Sequence, residues 1–457
     1  MIGESGAIAI DLGATSMRFA AARIEDDSIG FEIVEQAPNA PLTTGPRTTW
    51  DFSRMLAFCR QAVEYGGTHF RTTTIGLDSW GVDHGFLDES GNLIQPVVCY
   101  RDRSHADVFD RFAPIREELY RLTGIQHQPF NTIYQLIARR EEDSTLPRRA
   151  ACWRMLPDLL AHQLCGVDWC ELTDASTTQL MGLDGRWCPR AFELAGWPVP
   201  ELQPQPPGKL THPIHPGADL VMVAGHDTAS AVVGFGTLAD DLAFLNVGTW
   251  SLLGCLLDVP IVTQEAEASG FSNERAADGK VRFLTNIPGF YVVNRLHEEL
   301  GLDAGVPQWL AACYRGKNET TDAPEPKDLM DPLFFNPPSM RQALHPEGDL
   351  TVDGWGRLAL ESISATTAAQ LRQLELVAGR AFRALRVAGG GSQCPELCQS
   401  LADRCRIPVL AGPAEATVLG NLALQFLARE VASDMRQALQ LVDRSFTLTR
   451  YEPLVAR

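Results

Sequence analysis

The chain has no surplus of positive charge. Its 39 Lys and Arg stand against 57 Asp and Glu, a formal net charge of −18, which excludes non-specific attraction to nucleic acid or to anionic membrane surfaces. No apolar run is long enough to span a bilayer, and residues 1–20 lack the basic start and cleavage pattern of a secretory signal. Among 11 cysteines there is no Cys-x-x-Cys pair, and the nearest group, Cys394, Cys398 and Cys405, has the spacing of no common zinc site. Reduced thiols in a cytoplasmic protein are therefore expected. Low-complexity tracts and repeats of solenoid period are also missing. What remains is an ordinary globular composition, 45% hydrophobic and 21% charged, over 457 residues. That length exceeds what one core usually supports, so two domains are expected.

Residues 221–224, Val-Met-Val-Ala, read as a buried strand that stops at Gly225. A small-residue segment able to turn helical begins at Thr228. His226 and Asp227 then lie at the carboxyl end of a strand, where open α/β sheets seat their ligands. An aspartate there can accept the proton of a hydroxyl about to attack; the plainer alternative is that Asp227 caps the helix. Residues 242–257 follow as two apolar strands joined by a small-residue turn at Gly248 and Thr249. The chain opens on the same plan. Residues 7–23 read as strand, tight turn and strand, with Gly13, Ala14, Thr15 and Ser16 small enough for backbone N–H groups to approach a phosphate. Asp11, just before that turn, suits a magnesium ion held through water; an ordinary hairpin with an incidental aspartate is the alternative.

Residues 73–87 form another strand that runs into Asp78, Trp80, Asp83 and His84, with Gly81 leaving room against the backbone. Polar groups beside an aromatic face suit a small polyhydroxylated ligand. Arg101 and Asp102 reach the same site or pair with each other, and Asn131 caps a helix opening at residue 130 or meets the sugar. Residues 104–123 carry a helical apolar pattern closed by Gly124, and the proline-rich 196–218 reads as a surface loop. The longest helix is expected over 357–386, with Leu371, Leu374, Ala378, Phe382 and Leu385 on one face. It leads into Gly389-Gly-Gly-Ser392, and a helix follows from about Pro395. Three glycines at a strand end before a helix make a backbone-lined nucleotide site. Pro413 is expected to start a further helix. Two related α/β domains, each with a small-residue hairpin, would hold a nucleotide between them, and Asp227 beside the second hairpin suits phosphoryl transfer. Closure of the domains would exclude water.

In this order the chain resembles the FGGY carbohydrate kinases, and within them the members that act on L-rhamnulose. The resemblance rests on Asp11-Leu-Gly-Ala-Thr-Ser16, Asp78-Ser-Trp-Gly-Val-Asp83, Tyr100-Arg-Asp102 and Phe130-Asn-Thr-Ile-Tyr-Gln-Leu136. It continues through Ala175-Ser-Thr-Thr-Gln-Leu180, His226-Asp-Thr-Ala-Ser-Ala-Val232, Gly248-Thr-Trp-Ser-Leu252, Gly389-Gly-Gly-Ser-Gln393 and residues 412–421. It implies an α/β fold of two actin-like ATPase (ribonuclease H-like) domains facing across a catalytic cleft. Residues 1–241 would hold the sugar site, the first phosphate hairpin and the catalytic aspartate; residues 242–457 would hold the second hairpin and the adenine site. ATP and Mg2+ are the implied cofactors.

The resemblance implies that residues 14–18 and Thr249 meet the phosphates and that Asn286, Asn294 and the Gly391 region line the rest of the nucleotide site. It also implies that Gly81 and His226 contact the sugar and that Asp227 is the base. Combined with the residue reading, the nucleotide candidates are Gly13, Ala14, Thr15, Ser16, Met17, Arg18, Gly248, Thr249, Asn286, Asn294, Gly390 and Gly391. The sugar candidates are Asp78, Trp80, Gly81, Asp83, Arg101, Asn131, His226 and Asp227, and those for the metal are Asp11 and Asp227. Four departures from the family's usual residues stand out: His84 for Phe, Arg275-Ala276 for Gly-Gly, Asn294 for Gln and Cys394 for Asn. The implied reaction is ATP-dependent phosphorylation of a ketose at a terminal hydroxyl, O1 for L-rhamnulose. The alternatives are L-fuculose, a pentulose or a polyol and, more distantly, a non-catalytic actin-like ATPase or sugar sensor. The expected partner is a small sugar, with neither nucleic acid nor membrane, and the expected assembly is a monomer or homodimer.

Overall fold

Alternation along the first strand sets up one half of the molecule. In the computed structural model, which describes residues 3–25, 27–315 and 325–454, Gly3–Leu12 is strand β1. Successive strand side chains point to opposite faces. Ile8 and Ile10 therefore join one core, and Ala7 and Ala9 another. Helix α1, Phe52–His69, covers the isoleucine face with Met55, Phe58, Cys59 and Ala62.

β1 pairs antiparallel with β2 (Ser16–Glu25), and β2 with β3 (Ser28–Pro38). On its other edge β1 runs parallel to β4 (Phe70–Ser79). Beyond β4 come β5 (Thr211–His215) and β6 (Ala218–Val221), giving the order β3-β2-β1-β4-β6-β5. The second sheet is built from β7 (Leu242–Val247), β8 (Trp250–Leu257), β9 (Ser272–Arg275), β10 (Val281–Pro288), β11 (Ala384–Ala388), β12 (Val409–Ala411) and β13 (Thr449–Tyr451). Its order is β9-β10-β8-β7-β11-β12-β13. Both sheets repeat one plan. Three antiparallel strands, β3-β2-β1 or β10-β8-β7, are followed by two strands parallel to the last, β4-β6 or β11-β12. Open sheets of this kind leave the carboxyl ends of their parallel strands free for ligands.

Several stretches differ from the sequence expectation. Residues 104–123 form two helices, Ser104–Arg111 and Arg116–Thr123, split by a short turn at Ala113–Ile115. Pro114 has no N–H to continue the first. The strand expected at 221–224 lies earlier, as β6 ending at Val221, β5 falls inside the region 196–218 read as loop, and the chain enters helix α2 at Asp227–Gly234. The long helix α3, Val352–Ala378, ends on Gly379 with φ 66°, a left-handed stop that glycine adopts freely. Phe382 and Leu385, expected on its face, instead lie in the connection and on β11. The helix expected from Pro413 begins at Ala416 and is α4, Ala416–Ala428.

α4 belongs to the second half of the sequence but packs on the first sheet. Its Val418, Leu419 and Leu422 meet Ala7, Ala9, Ala20 and Ala22, whose small side chains let the helix come close. It also crosses α2 at two glycines. A methyl on Gly420 would lie 1.8 Å from the Ser230 carbonyl oxygen, and one on Gly234 would lie 1.9 Å from that of Ala416. No described helix is long and apolar enough to cross a membrane. All 11 cysteines are unpaired.

Candidate active site

Three neighbouring strands deliver carboxylates to one place. Asp11 at the end of β1 is the register partner of Asp78 at the end of β4, and Ser79 bridges to His226, the residue before α2. Asp78 is fully buried; its Oδ2 accepts a 2.6 Å bond from Asn421 of α4, and its Oδ1 has no partner. Burial pushes the Asp78 carboxyl well up, the charges of Asp11 and Asp227 push the same way, and the Asn421 amide opposes them. Asp11 Oδ2 accepts from Arg18 Nε and Nη2 at 2.8 and 2.7 Å, and Arg18 Nη1 lies 3.0 Å from Glu415. Asp227 is held on one side only. Its Oδ1 accepts from the Thr228 N–H at 2.6 Å and the Thr228 hydroxyl at 3.1 Å. Its Oδ2 has no hydrogen-bond partner among the described residues. Burial raises the Asp227 carboxyl, His226 opposes that, and the Asp11 charge adds to it.

Among the described residues no three His, Cys, Asp or Glu side chains converge closely enough to chelate an ion unaided. Magnesium asks for less: one or two carboxylates, several waters and phosphate oxygens. The orphaned Asp78 Oδ1, on a carboxyl that feels the charges of Asp11 and Asp227, is donor chemistry that fits such an ion.

The two hairpins are fixed from outside. In the first, the Gly13 N–H donates to Ser16 O at 2.8 Å, and Asn39 donates to Gly13 O and Thr15 O, each at 2.9 Å. Met17 pairs with Leu12 and is buried in the core. Its backbone runs inside the sheet between Leu12 and Ala37, which makes Met17 a scaffold residue. In the second hairpin, Phe290 and Tyr291 N–H groups donate to Gly248 O and Thr249 O at 2.9 and 3.0 Å. They tie the turn to the start of the helix Phe290–Leu300, which carries Asn294, while Asn286 sits on β10 opposite Leu252. A methyl on Gly391 would lie 2.3 Å from Val247, so the glycine-rich turn closes onto β7; Gly390 has nothing within 4 Å of a methyl. The nucleotide candidates of the second half thus gather around one hairpin.

Several of the sugar-side candidates are bonded into the scaffold. Asp83 is fully buried. Its Oδ2 accepts from Trp50 Nε1 (2.6 Å), Trp80 Nε1 (2.9 Å) and the Tyr100 N–H (3.3 Å), and its Oδ1 from Gln135 (3.3 Å). Burial nevertheless pushes its carboxyl up to about 6. Asp83 therefore holds Trp80 against Trp50, with ring centroids 4.3 Å apart. Between them Val82 has φ 70°, costly for a β-branched residue. Its carbonyl accepts from Thr132 (2.7 Å) and Gln135 (3.1 Å), and its N–H donates to Thr177 (3.1 Å). Gly81 lies against Thr177, where a methyl would come within 2.8 Å. Asn131 makes no cap bond; its amide donates to Gln126 O and Gln179 Oε1 at 2.9 and 3.0 Å. Arg101 is exposed and donates to the Tyr100 hydroxyl at 3.0 Å, while Asp102 pairs with Arg47. His84 stands edge-on to Phe86 and Trp153 rather than on an open wall.

Sequence reasoning passed over four residues next to His226. Glu171 accepts from the N–H groups of Thr173 (2.8 Å), Asp174 (2.9 Å) and Gly225 (2.9 Å), which pins the backbone just ahead of the histidine. Asp174 is fully buried with neither oxygen bonded. Arg282 of β10 donates to His226 Nδ1 at 3.1 Å and lies 2.9 Å from Glu274. A charged residue inside the apolar run Val281-Arg-Phe-Leu284 was the one available signal for Arg282.

The model of the FGGY family of carbohydrate kinases matches both halves, its N-terminal domain over residues 7–234 and its C-terminal domain over 243–429. The chain is 31% identical to a protein of Bacillus subtilis (strain 168) named rhamnulokinase, over 97% of this chain and 95% of the relative. It is 33% identical to a rhamnulokinase of Pectobacterium carotovorum subsp. carotovorum (strain PC1), over 98% of this chain and 92% of the relative. In three dimensions it is similar to a ligand-bound xylulose kinase from Lactobacillus acidophilus, with a TM-score of 0.80 at 16% identity, covering 98% of this chain and 94% of the other. A glycerol kinase from Plasmodium falciparum with ADP gives a TM-score of 0.77 at 13% identity, covering 99% and 95%. At those identities the structural likeness establishes the fold, two actin-like α/β domains.

Proposed function

The chain belongs to the FGGY family of carbohydrate kinases, and from that premise we propose that it transfers the γ-phosphoryl group of ATP to O1 of L-rhamnulose. The observation that carries the reading is the meeting of Asp11, Asp78 and Asp227 at adjacent strand ends, beside a hairpin able to present backbone N–H groups. The choice of sugar rests on the relatives named rhamnulokinase.

In this reading Asp227 takes the proton from the sugar hydroxyl. Thr228 holds Oδ1, so Oδ2 is available, and burial raises the basicity of the carboxylate. The N–H groups of residues 14–16 and of Thr249 face the phosphates, where fixed donors stabilise developing negative charge without reorganising, while those of Gly13 and Gly248 close their hairpins on Ser16 O and Trp250 O. Arg18 is released to the phosphates as its ion pairs with Asp11 and Glu415 exchange. Magnesium, held by Asp11 and Asp227 with the Asp78 oxygen nearby, would neutralise charge on the phosphate oxygens. Trp80, Gly81 and His226 shape the sugar side, and Asp83, Asn131 and Gln135 hold that shape. Residue 241 is the proposed domain boundary, with α4 as the element of the second domain that clasps the first.

A coupled ADP-release assay over L-rhamnulose, L-fuculose, pentuloses and polyols tests the substrate. L-rhamnulose is expected to lead. Another sugar preferred by about tenfold or more in kcat/KM, roughly 1.4 kcal/mol of transition-state stabilisation, would reassign it.

A further inference from the structure

We propose that Arg282, reaching over from the second sheet, is a positioning residue that fixes His226 as the tautomer with its proton on Nε2, turned toward the sugar side of Asp227. The inference rests on the sugar-kinase reading of Asp227 but comes from two contacts at opposite ends of one ring. At Nδ1, Arg282 Nη2 lies at 3.1 Å. A guanidinium has donors only, so Nδ1 must present its lone pair. At the other end, Nε2 lies 3.4 Å from Asp227 Oδ1. A carboxylate oxygen accepts only, so Nε2 is the nitrogen that carries the proton. The opposite tautomer would set N–H against N–H at one end and lone pair against carboxylate at the other. One contact argues the other way, since Glu274 Oε2 lies 3.4 Å from Nδ1 and would accept a proton from it. Glu274 lies nearer to Arg282, at 2.9 Å, and against burial the Arg282 charge, more than His226, holds its carboxyl down.

Arg282 is built to stay in place. It is fully buried, it is the register partner of Glu274 across β9 and β10, and its Nε donates to Arg275 O at 2.9 Å. His226 is tied to the first sheet by its bridge to Ser79. The bond between them therefore spans the two halves, so the orientation of a sugar-side ring depends on how the halves are docked. With the proton on Nε2, His226 donates to a sugar oxygen seated at Asp227 and leaves Asp227 Oδ2 to receive the proton of the attacking hydroxyl.

The test is nuclear magnetic resonance of the full chain labelled with 15N-histidine, with His226 assigned by its loss in His226→Gln. The wild type is expected to show the Nε2–H tautomer at His226. Finding the proton on Nδ1 overturns the proposal without recourse to any Arg282 variant. In Arg282→Met, which keeps bulk and removes the donors, the Nε2–H preference is expected to disappear, with the sugar KM raised about tenfold and the ATP KM unchanged within about twofold. A variant that folds, by circular dichroism, with the wild-type tautomer and wild-type sugar KM also overturns it. Titration of L-rhamnulose into the wild type tells the two levels apart. A turned-over sugar that leaves the His226 signal unmoved would remove the sugar from this site, while the tautomer measurement still judges Arg282.

Discussion

A carboxylate serves as a base when one oxygen is held and the other is left open, and Asp227 meets that condition through the residue next to it. The N-cap of α2 is His226, with no side-chain cap bond, so the Thr228 bonds hold Asp227 in place without capping the helix. His84 illustrates the opposite case, a buried polar ring with one nitrogen left unbonded. Its Nδ1 is buried without a partner, and burial, with the charges of His105 and Arg139, lowers it to about 3. Between that value and the ordinary value of about 6.5, the unfolded chain binds a proton that the folded chain refuses, so His84 subtracts stability as pH falls through this window. His84→Phe is expected to raise Tm at pH 5 by more than at pH 7.5, about 1 kcal/mol or more of extra stability at the lower pH. Equal gains at both pH values, or none, would show that His84 has a partner in solution.

Single elements carry the site as rigid pieces, and α2 is the one that matters most because Asp227 is its first residue. Two glycine crossings lock it to α4. Gly420→Ala drives a methyl against the Ser230 carbonyl, and overpacking of this kind costs about 1–3 kcal/mol. The expected outcome is a lower Tm together with a lower kcat; a wild-type Tm and kcat would mean that α2 tolerates being moved. These elements were unequally legible in the sequence. Both hairpins and the glycine-rich turn could be read because small residues at a turn have few other uses. The end of α3 was misplaced because the apolar spacing of Phe382 and Leu385 continued the helical pattern past Gly379, where the chain had already left for β11. Asp83 read as a sugar contact because an aspartate before a pocket looks the same whether it faces the ligand or two indoles. Arg282, Glu274 and Asn421 were out of reach, since each acts on a residue at least 48 positions away.

At the scale of the molecule, two sheets share one plan, and α4, from the second half of the chain, is bonded to the first sheet through Asn421 and Asp78. The two hairpins sit on different sheets, so in the proposed reaction they would have to be brought together, and closure would also remove water that competes with the sugar. Small-angle scattering is expected to show a smaller radius of gyration with L-rhamnulose and a non-hydrolysable ATP analogue together than with either alone. No compaction under any condition would mean that the cleft works as it stands. The central claim is that the assembled cleft is a sugar kinase whose base is Asp227. Its most direct test is Asp227→Asn, measured as kcat and, separately, as calorimetric sugar affinity. The substitution keeps the shape and the Thr228 bonds but removes the proton acceptor. The account predicts that kcat falls on the order of 10²- to 10⁴-fold while the sugar dissociation constant changes by less than about fivefold. A variant that keeps more than about a tenth of the wild-type kcat would contradict it.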